Sequence, residues 1–571
     1  MLERTRYGTA VLLAALFTIT GYRSAPPGDG DGRTAGALIR EHAMVVSAHP
    51  LATEVGLQVL RDGGNAVDAA VAVHHALAVV APWAGNIGGG GFMVVRMADG
   101  TVHTLDFRET APSSSTRDMY LDEHGVVDPK LCLVGHKAIG VPGSVAGMFA
   151  VRDSLGRLPM ERLLDPAIEL ANKGFRLTAN EAEELNKALP LLRANSTRPN
   201  AFTAKETWAA GDVMRNTELA NTLTRIRDNG AAELYTGSTA ELLIAEMQRG
   251  KGTISRSDLA AYRPRWREAV HGRYRGHDIY SMGPPSSGGT ALIQLLNAME
   301  PMDVHGSGWH KAPTVHRMVE AERRVYADRA TYMGDPDAVP IPLSGLLSPG
   351  YMAQRMADLD LSSATPSVAV AAGAPPHESD QTTHFSIVDA EGNAVSCTTT
   401  LNAFYGSHVV VGGAGFVLNN EMDDFSAAPG TPNAYGLVGG EANAIAPGKR
   451  MLSSMTPTIV VRDGKVVLVL GTPGGSSIIT TVFQVIMNVL DHGMTMQQAV
   501  NAPRFHFQWL PDMIQTEAGA ITGADSLELV QMGHTFVNRS PYGRVDAIHV
   551  LDDGRLEGGA DPRGDDHAAG Y

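Results

Sequence analysis

Gln381-Thr382-Thr383-His384-Phe385-Ser386-Ile387-Val388-Asp389 is the stretch on which the fold turns. A polar pair stands directly before an alternating run, Gly392 follows, and a second β-rich run covers Asn393 to Asn402. Period-two alternation on both sides of a glycine predicts a β-hairpin with Thr382 at the mouth of its first strand. A threonine inside a chain has no base of its own. A threonine that begins a chain carries an α-amine with a pKa of about 8, able to take the hydroxyl proton near neutral pH. The expectation is therefore a backbone cut between Gln381 and Thr382 that turns Thr382 into a nucleophile.

Outward from this hairpin, the chain of 571 residues exceeds what one hydrophobic core serves, so one multilayer body or two joined parts is expected. Apolar residues make up 44% and charged residues 19%, an ordinary globular balance. A net charge of -15 without a basic run argues against a nucleic-acid surface. Cys132 and Cys397 are the two cysteines, too few for a disulfide framework or a four-thiolate zinc site. Residues 1–24 read as a signal peptide, with Arg4 and Arg6 ahead of the apolar run from Ala10 to Phe17. That run is short for a membrane span, so no stable membrane anchor is expected, and the protein is expected to be exported. Residues 25–41 read as a flexible leader, and residues 42–381 and 382–571 as the two parts divided by the cut.

Helices are expected over Leu51 to Leu60 and, capped by Asn65, over Ala66 to Val80. The second is apolar on nearly every face, so its His74 and His75 read as satisfied core histidines. Gly85 to Gly91 lacks a phosphate-loop ending and reads as a tight loop against other backbone. Residues 158–260 read as mostly helical, and Val315 to Met333 as a helix whose Arg/Glu/Asp run faces water. The connector 364–378, rich in Pro, Ala, Gly and Ser, leads to the expected cut. His506 and its surroundings read as packing. On residue type alone Arg108 is a surface residue past a strand. Asn402, Glu421 and Asp424 are turn formers, as are Ser453 and Ser454.

Four separated stretches change those readings: Gln381 to Ser386, Leu418 to Phe425, Leu452 to Met455 and Pro473 to Ser476. In this order they resemble the gamma-glutamyltranspeptidase (glutathione hydrolase) family, a likeness running from about Met44 to Tyr571. The resemblance implies an α+β fold, the four-layer αββα sandwich of N-terminal nucleophile hydrolases. It implies that Arg108, Ser453 and Ser454 hold a substrate α-carboxylate, and that Asn402, Glu421 and Asp424 hold its α-ammonium. Thr400 would orient the Thr382 hydroxyl, and the N–H groups of Gly474 and Gly475 would receive the oxyanion. Residues 429–440, with Tyr435, match a lid loop. No cofactor or metal is implied. The implied partners are glutathione and other γ-glutamyl compounds, with water or an amino acid or peptide as acyl acceptor. The two chain parts would stay together as a heterodimer. Two other readings stand beside this one: a cephalosporin or glutaryl acylase on the same fold, and an uncleaved secreted binding protein.

Overall fold

The computed structural model describes residues 37–370, 381–428 and 440–571. The signal peptide, most of the leader, part of the connector, and Tyr435 with most of the lid loop lie outside the described residues.

Two seven-stranded antiparallel sheets form the centre. Their strands, in chain order, are β1 (Leu38–Arg40), β2 (Met44–Ser47), β3 (Gly90–Arg96), β4 (Val102–Asp106), β5 (Arg265–Arg267), β6 (Val270–Tyr274), β7 (His277–Ser281), β8 (Gln381–Val388), β9 (Ala394–Asn402), β10 (Thr458–Arg462), β11 (Lys465–Gly471), β12 (Asp546–Val550), β13 (Leu556–Ala560) and β14 (His567–Gly570). One sheet runs β1-β13-β12-β11-β10-β7-β6, the other β14-β2-β8-β9-β3-β4-β5. The β1 strand falls in the stretch read from sequence as leader; it pairs with β13 through Leu38 and Gly558.

Three apolar cores separate four layers. Met44, Val46, Val94, Val388, Ile459, Val469 and Ile548 fill the space between the sheets. Phe385, Ile387, Cys397 and Leu401, on the opposite pleat of β8 and β9, pack with α1 (Pro50–Arg61) and α2 (Ala66–Val80). On the far side, Ile279, Val460, Leu468 and Ala547 pack with α3 (Gly288–Met299), α4 (Ala312–Tyr332) and α5 (Ser477–Leu490). The result is the αββα sandwich. Both sheets mix strands from before and after residue 382.

The helix starts follow local chemistry. Asn65 Oδ1 accepts the Asp68 N–H at 3.0 Å, and the Asp68 carboxylate accepts the Asn65 N–H at 3.0 Å. The glycines of 85–91 are required by close backbone approach: a Cβ on Gly88 would sit 2.2 Å from Val417 O, and one on Gly89 2.0 Å from Thr400 O.

Two expectations need correction. His74 and His75 are buried, but only His75 Nδ1 finds a partner, the Val71 carbonyl at 2.7 Å. Burial pulls the His75 pKa down to about 4 and lowers that of His74 as well. The charged run of α4 does not face water: Glu320, Glu322, Arg323, Arg324, Asp328 and Arg329 are all buried. Glu320 lies 3.1 Å from Arg323 and 2.7 Å from Arg324, so i,i+3 and i,i+4 spacing serves a buried ion-pair cluster here.

Candidate active site

The β8–β9 pairing is regular from Val388 to Thr382, then slips. Thr382 stands opposite Thr400 and Gln381 opposite Asn402, leaving Leu401 as a bulge. Asn402 takes φ 74°, a left-handed conformation that asparagine tolerates better than most residues. Thr400 Oγ1 accepts the Asn402 N–H at 2.7 Å, and Asn402 Nδ2 donates to Asn420 O at 3.0 Å. Thr382 shares its pleat with His384 and Ser386, which face the other sheet: Ser386 Oγ donates to Asp546 O at 2.9 Å. Thr382 thus lies at the end of the inter-sheet space, 7% exposed, where the sheets part.

Gly474 and Gly475 occupy the turn between β11 and α5, at φ 136° and 56°. Those angles suit glycine and aim backbone groups where a side chain would intrude. The turn is pinned from behind. Ser477 Oγ donates to Gly474 O, Tyr326 Oη to Ser476 O, and Ser476 Oγ to Gln508 Oε1 at 2.8 Å. His506 bonds Gln508 Oε1 and Thr480 Oγ1, each at 2.8 Å, and burial pulls its pKa down to about 3, so it stays neutral. His506, read from sequence as packing, belongs to this support.

Arg108, Thr382, Thr400, Asn402, Asp424, Ser453, Ser454 and Gly475 line one small cavity of about 10 Å³. The Arg108 guanidinium is buried at its wall. One nitrogen is 2.7 Å from Glu421 Oε2, and the other donates to Asp424 and to Leu452 O. Ser454 Oγ accepts from Arg329, whose Nε donates to Ser287 Oγ at 2.7 Å. Ser453 Oγ accepts the Met455 N–H at 3.1 Å, while Ser286 and Ser287 hold its carbonyl. Arg108, expected to hold a carboxylate, and Glu421 and Asp424, expected to hold an ammonium, therefore hold each other.

Sequence reading missed three members of this cluster. Glu109 lies 3.7 Å from Arg108, and burial pushes its carboxyl up to about 8. Asp423, raised to about 7 by burial and by Asp424, and Arg329, buried on α4, complete it. Asp424 is raised by burial to about 6 despite Arg108 beside it, and Glu421 is also raised, by burial first. Asp423 stood inside the quoted stretch Leu418 to Phe425, and Glu109 directly follows Arg108. Arg329 had no signal, because a buried helix face of charges has the same spacing as a solvated one.

A second cavity of about 520 Å³ opens on the other side of Thr382 and Gly474. The hydroxyl-bearing residue thus stands between a tight charged pocket and a roomy one, with the glycine turn across both.

The family model for gamma-glutamyltranspeptidase matches residues 52–571. The glutathione hydrolase proenzyme of Escherichia coli K12 is 46% identical over 93% of this chain and 92% of that protein. Its counterpart in Pseudomonas aeruginosa is 49% identical over 90% and 91%. Among solved structures, cephalosporin acylase from Bacillus halodurans superposes with a TM-score of 0.84 at 26% identity, over 96% of this chain and 99% of that one. With the motifs, the sandwich and the threonine between its two cavities in place, these matches make the chain a member of the gamma-glutamyltranspeptidase family.

Proposed function

We infer that this protein is an autoprocessing γ-glutamyltransferase and glutathione hydrolase with Thr382 as its nucleophile. In the first reaction the Thr382 hydroxyl attacks the Gln381 carbonyl carbon, the acyl group shifts from nitrogen to oxygen, and water cleaves the ester. A large chain ending at Gln381 and a small chain beginning at Thr382 remain together as a heterodimer. In the second reaction the same hydroxyl attacks the γ-carbonyl of glutathione or another γ-glutamyl compound. The new α-amine accepts the proton and returns it to the leaving amine. The N–H groups of Gly474 and Gly475 receive the oxyanion, each donor contributing about 3 kcal/mol. Thr400 orients the hydroxyl. Water then releases glutamate, or an amino acid or peptide amine takes the acyl group.

What carries this reading is the charge arrangement beside Thr382. A γ-glutamyl head is a zwitterion, and its entry would exchange the internal ion pairs for matched ones. The carboxylate meets Arg108, Ser453 and Ser454, and the ammonium meets Asn402, Glu421 and Asp424. A glutaryl group lacks the ammonium and would leave buried carboxyls uncompensated, which disfavours the acylase reading. The signal peptide read over residues 1–24 directs export to the periplasm or beyond; among the described residues no helix is long and apolar enough to cross a membrane.

The test is Thr382→Ala beside the parent protein. The parent gives two fragments on a denaturing gel, the smaller beginning at Thr382, and hydrolyses γ-glutamyl-p-nitroanilide in preference to glutaryl-p-nitroanilide. Thr382→Ala stays in one piece and turns over neither. A variant that still matures, or a parent that prefers the glutaryl compound, rejects the reading.

A further inference from the structure

The stretch Pro284-Pro285-Ser286-Ser287 leads into α3 and lies along Ser453 and Ser454. The Ser453 N–H donates to Pro285 O at 3.0 Å, and the Ser287 N–H donates to Ser453 O at 2.7 Å. Ser287 Oγ is buried between two partners, Ser453 O at 2.7 Å and Arg329 Nε at 2.7 Å. A hydroxyl has one proton, and a guanidinium can only donate. The Ser287 proton therefore goes to Ser453 O, and a lone pair on Ser287 Oγ takes the Arg329 N–H. A second Arg329 nitrogen donates to Ser454 Oγ at 3.0 Å. Ser454 Oγ is thus an acceptor toward Arg329, and its own proton has no acceptor among the described residues. The same holds for Ser453, whose Oγ accepts the Met455 N–H. Both serines line the small cavity beside Arg108, while Ser287 and Arg329 are not among its lining residues. A buried O–H without an acceptor is costly, and a carboxylate in the cavity would supply one.

We propose that Ser287 is a positioning residue for donor recognition: through Arg329 it keeps Ser454 Oγ an acceptor on one side, which turns the Ser454 O–H into the cavity, toward the α-carboxylate. The inference rests on the γ-glutamyl reading of the Thr382 site. Without the Ser287 hydroxyl, Arg329 loses a bond at Nε that helps fix the plane of its guanidinium, and with it the aim of the nitrogen that reaches Ser454. Ser453 is less affected, because the Ser287 N–H and Ser286 Oγ still hold its carbonyl. Removing the hydroxyl should therefore weaken the grip on the donor and leave the reacting end of the site as it was.

The experiment measures hydrolysis of γ-glutamyl-p-nitroanilide by the parent, Ser287→Ala, Ser454→Ala and the double variant. Ser287→Ala should raise donor KM by about fivefold or more. Its kcat should stay within about twofold, the pattern of a lost binding contact. In the Ser454→Ala background the same change should raise KM by less than about twofold, because a residue that acts through Ser454 has nothing left to position there. An equal rise in both backgrounds marks a merely structural role and overturns the inference, as does an unchanged KM in Ser287→Ala; either result leaves the γ-glutamyl reading intact. A parent inert toward the donor removes both. If Ser287→Ala does not mature, Ser287→Cys decides the point: a thiol is a weak acceptor, so donor KM must still rise, and an unchanged KM overturns the assignment. Failure of both variants to mature makes Ser287 a folding residue and overturns it too.

Discussion

Glu109, Glu421 and Asp424 crowd their carboxyls around the Arg108 guanidinium, Asp423 stands beside Asp424, and burial raises the pKa of every one of them. A raised carboxyl means that the folded protein keeps a proton the unfolded chain gives up. The stability this brings is present at low pH and is lost as pH rises from the ordinary Asp value of 3.8 through about 6 for Asp424. A bound substrate ammonium does the opposite, since it needs the ionised form. Donor KM should therefore fall as pH rises through about 6, and the thermal shift given by a bound γ-glutamyl ligand should be larger above that pH than below it. Initial rates and melting curves across that range check both. The place of Thr382 at a strand start was legible in the sequence because its signal is local, an alternating run directly after a polar pair. The expectation for Arg108 came only from the family resemblance, since residue type alone gives a surface arginine. Its real surroundings depend on Glu421 and Asp424, over three hundred residues away, which no local pattern encodes.

At the level of elements, the turn between β11 and α5 carries Gly474 and Gly475, the oxyanion donors proposed above. Gly474 has φ 136°, and a Cβ there would lie 3.0 Å from Ser477 Oγ, whose bond to Gly474 O pins the turn. Gly474→Ala should therefore displace the donor it carries. Losing one such donor costs about 3 kcal/mol, so kcat should drop by about a hundredfold with donor KM little changed. Steady-state kinetics on the matured variant measure this, and an equal rise in KM would point to a collapsed pocket instead. The hairpin β8–β9, the Asn65 cap and the apolar α2 were readable because alternation, an asparagine before an apolar run and an all-apolar run each have one structural outcome. The charged α4 was not. Its Glu320-Arg323-Arg324 spacing fits a solvated helix equally well, and only the layers packed around it bury those groups.

At the level of the whole molecule, the bond between Gln381 and Thr382 divides the sequence but not the structure. The second sheet takes β2 to β5 from before it and β8, β9 and β14 from after it; the first takes β1, β6 and β7 from before and the remaining four from after. Either part alone would expose sheet edges and part of every apolar core. The mature fragments should therefore elute together at the mass of the intact protein under native conditions, and separate only in denaturant. Gel filtration followed by denaturing electrophoresis tests this.

Such interleaving makes assembly a one-way passage. The peptide link keeps the halves at high effective concentration while the strands find their register, and its loss afterwards withdraws that help for good. Matured protein unfolded by heat would face a bimolecular search between two aggregation-prone pieces, whereas the uncut Thr382→Ala chain would not. The lifetime of the working molecule is then governed by how slowly it opens, not by how readily it could form again.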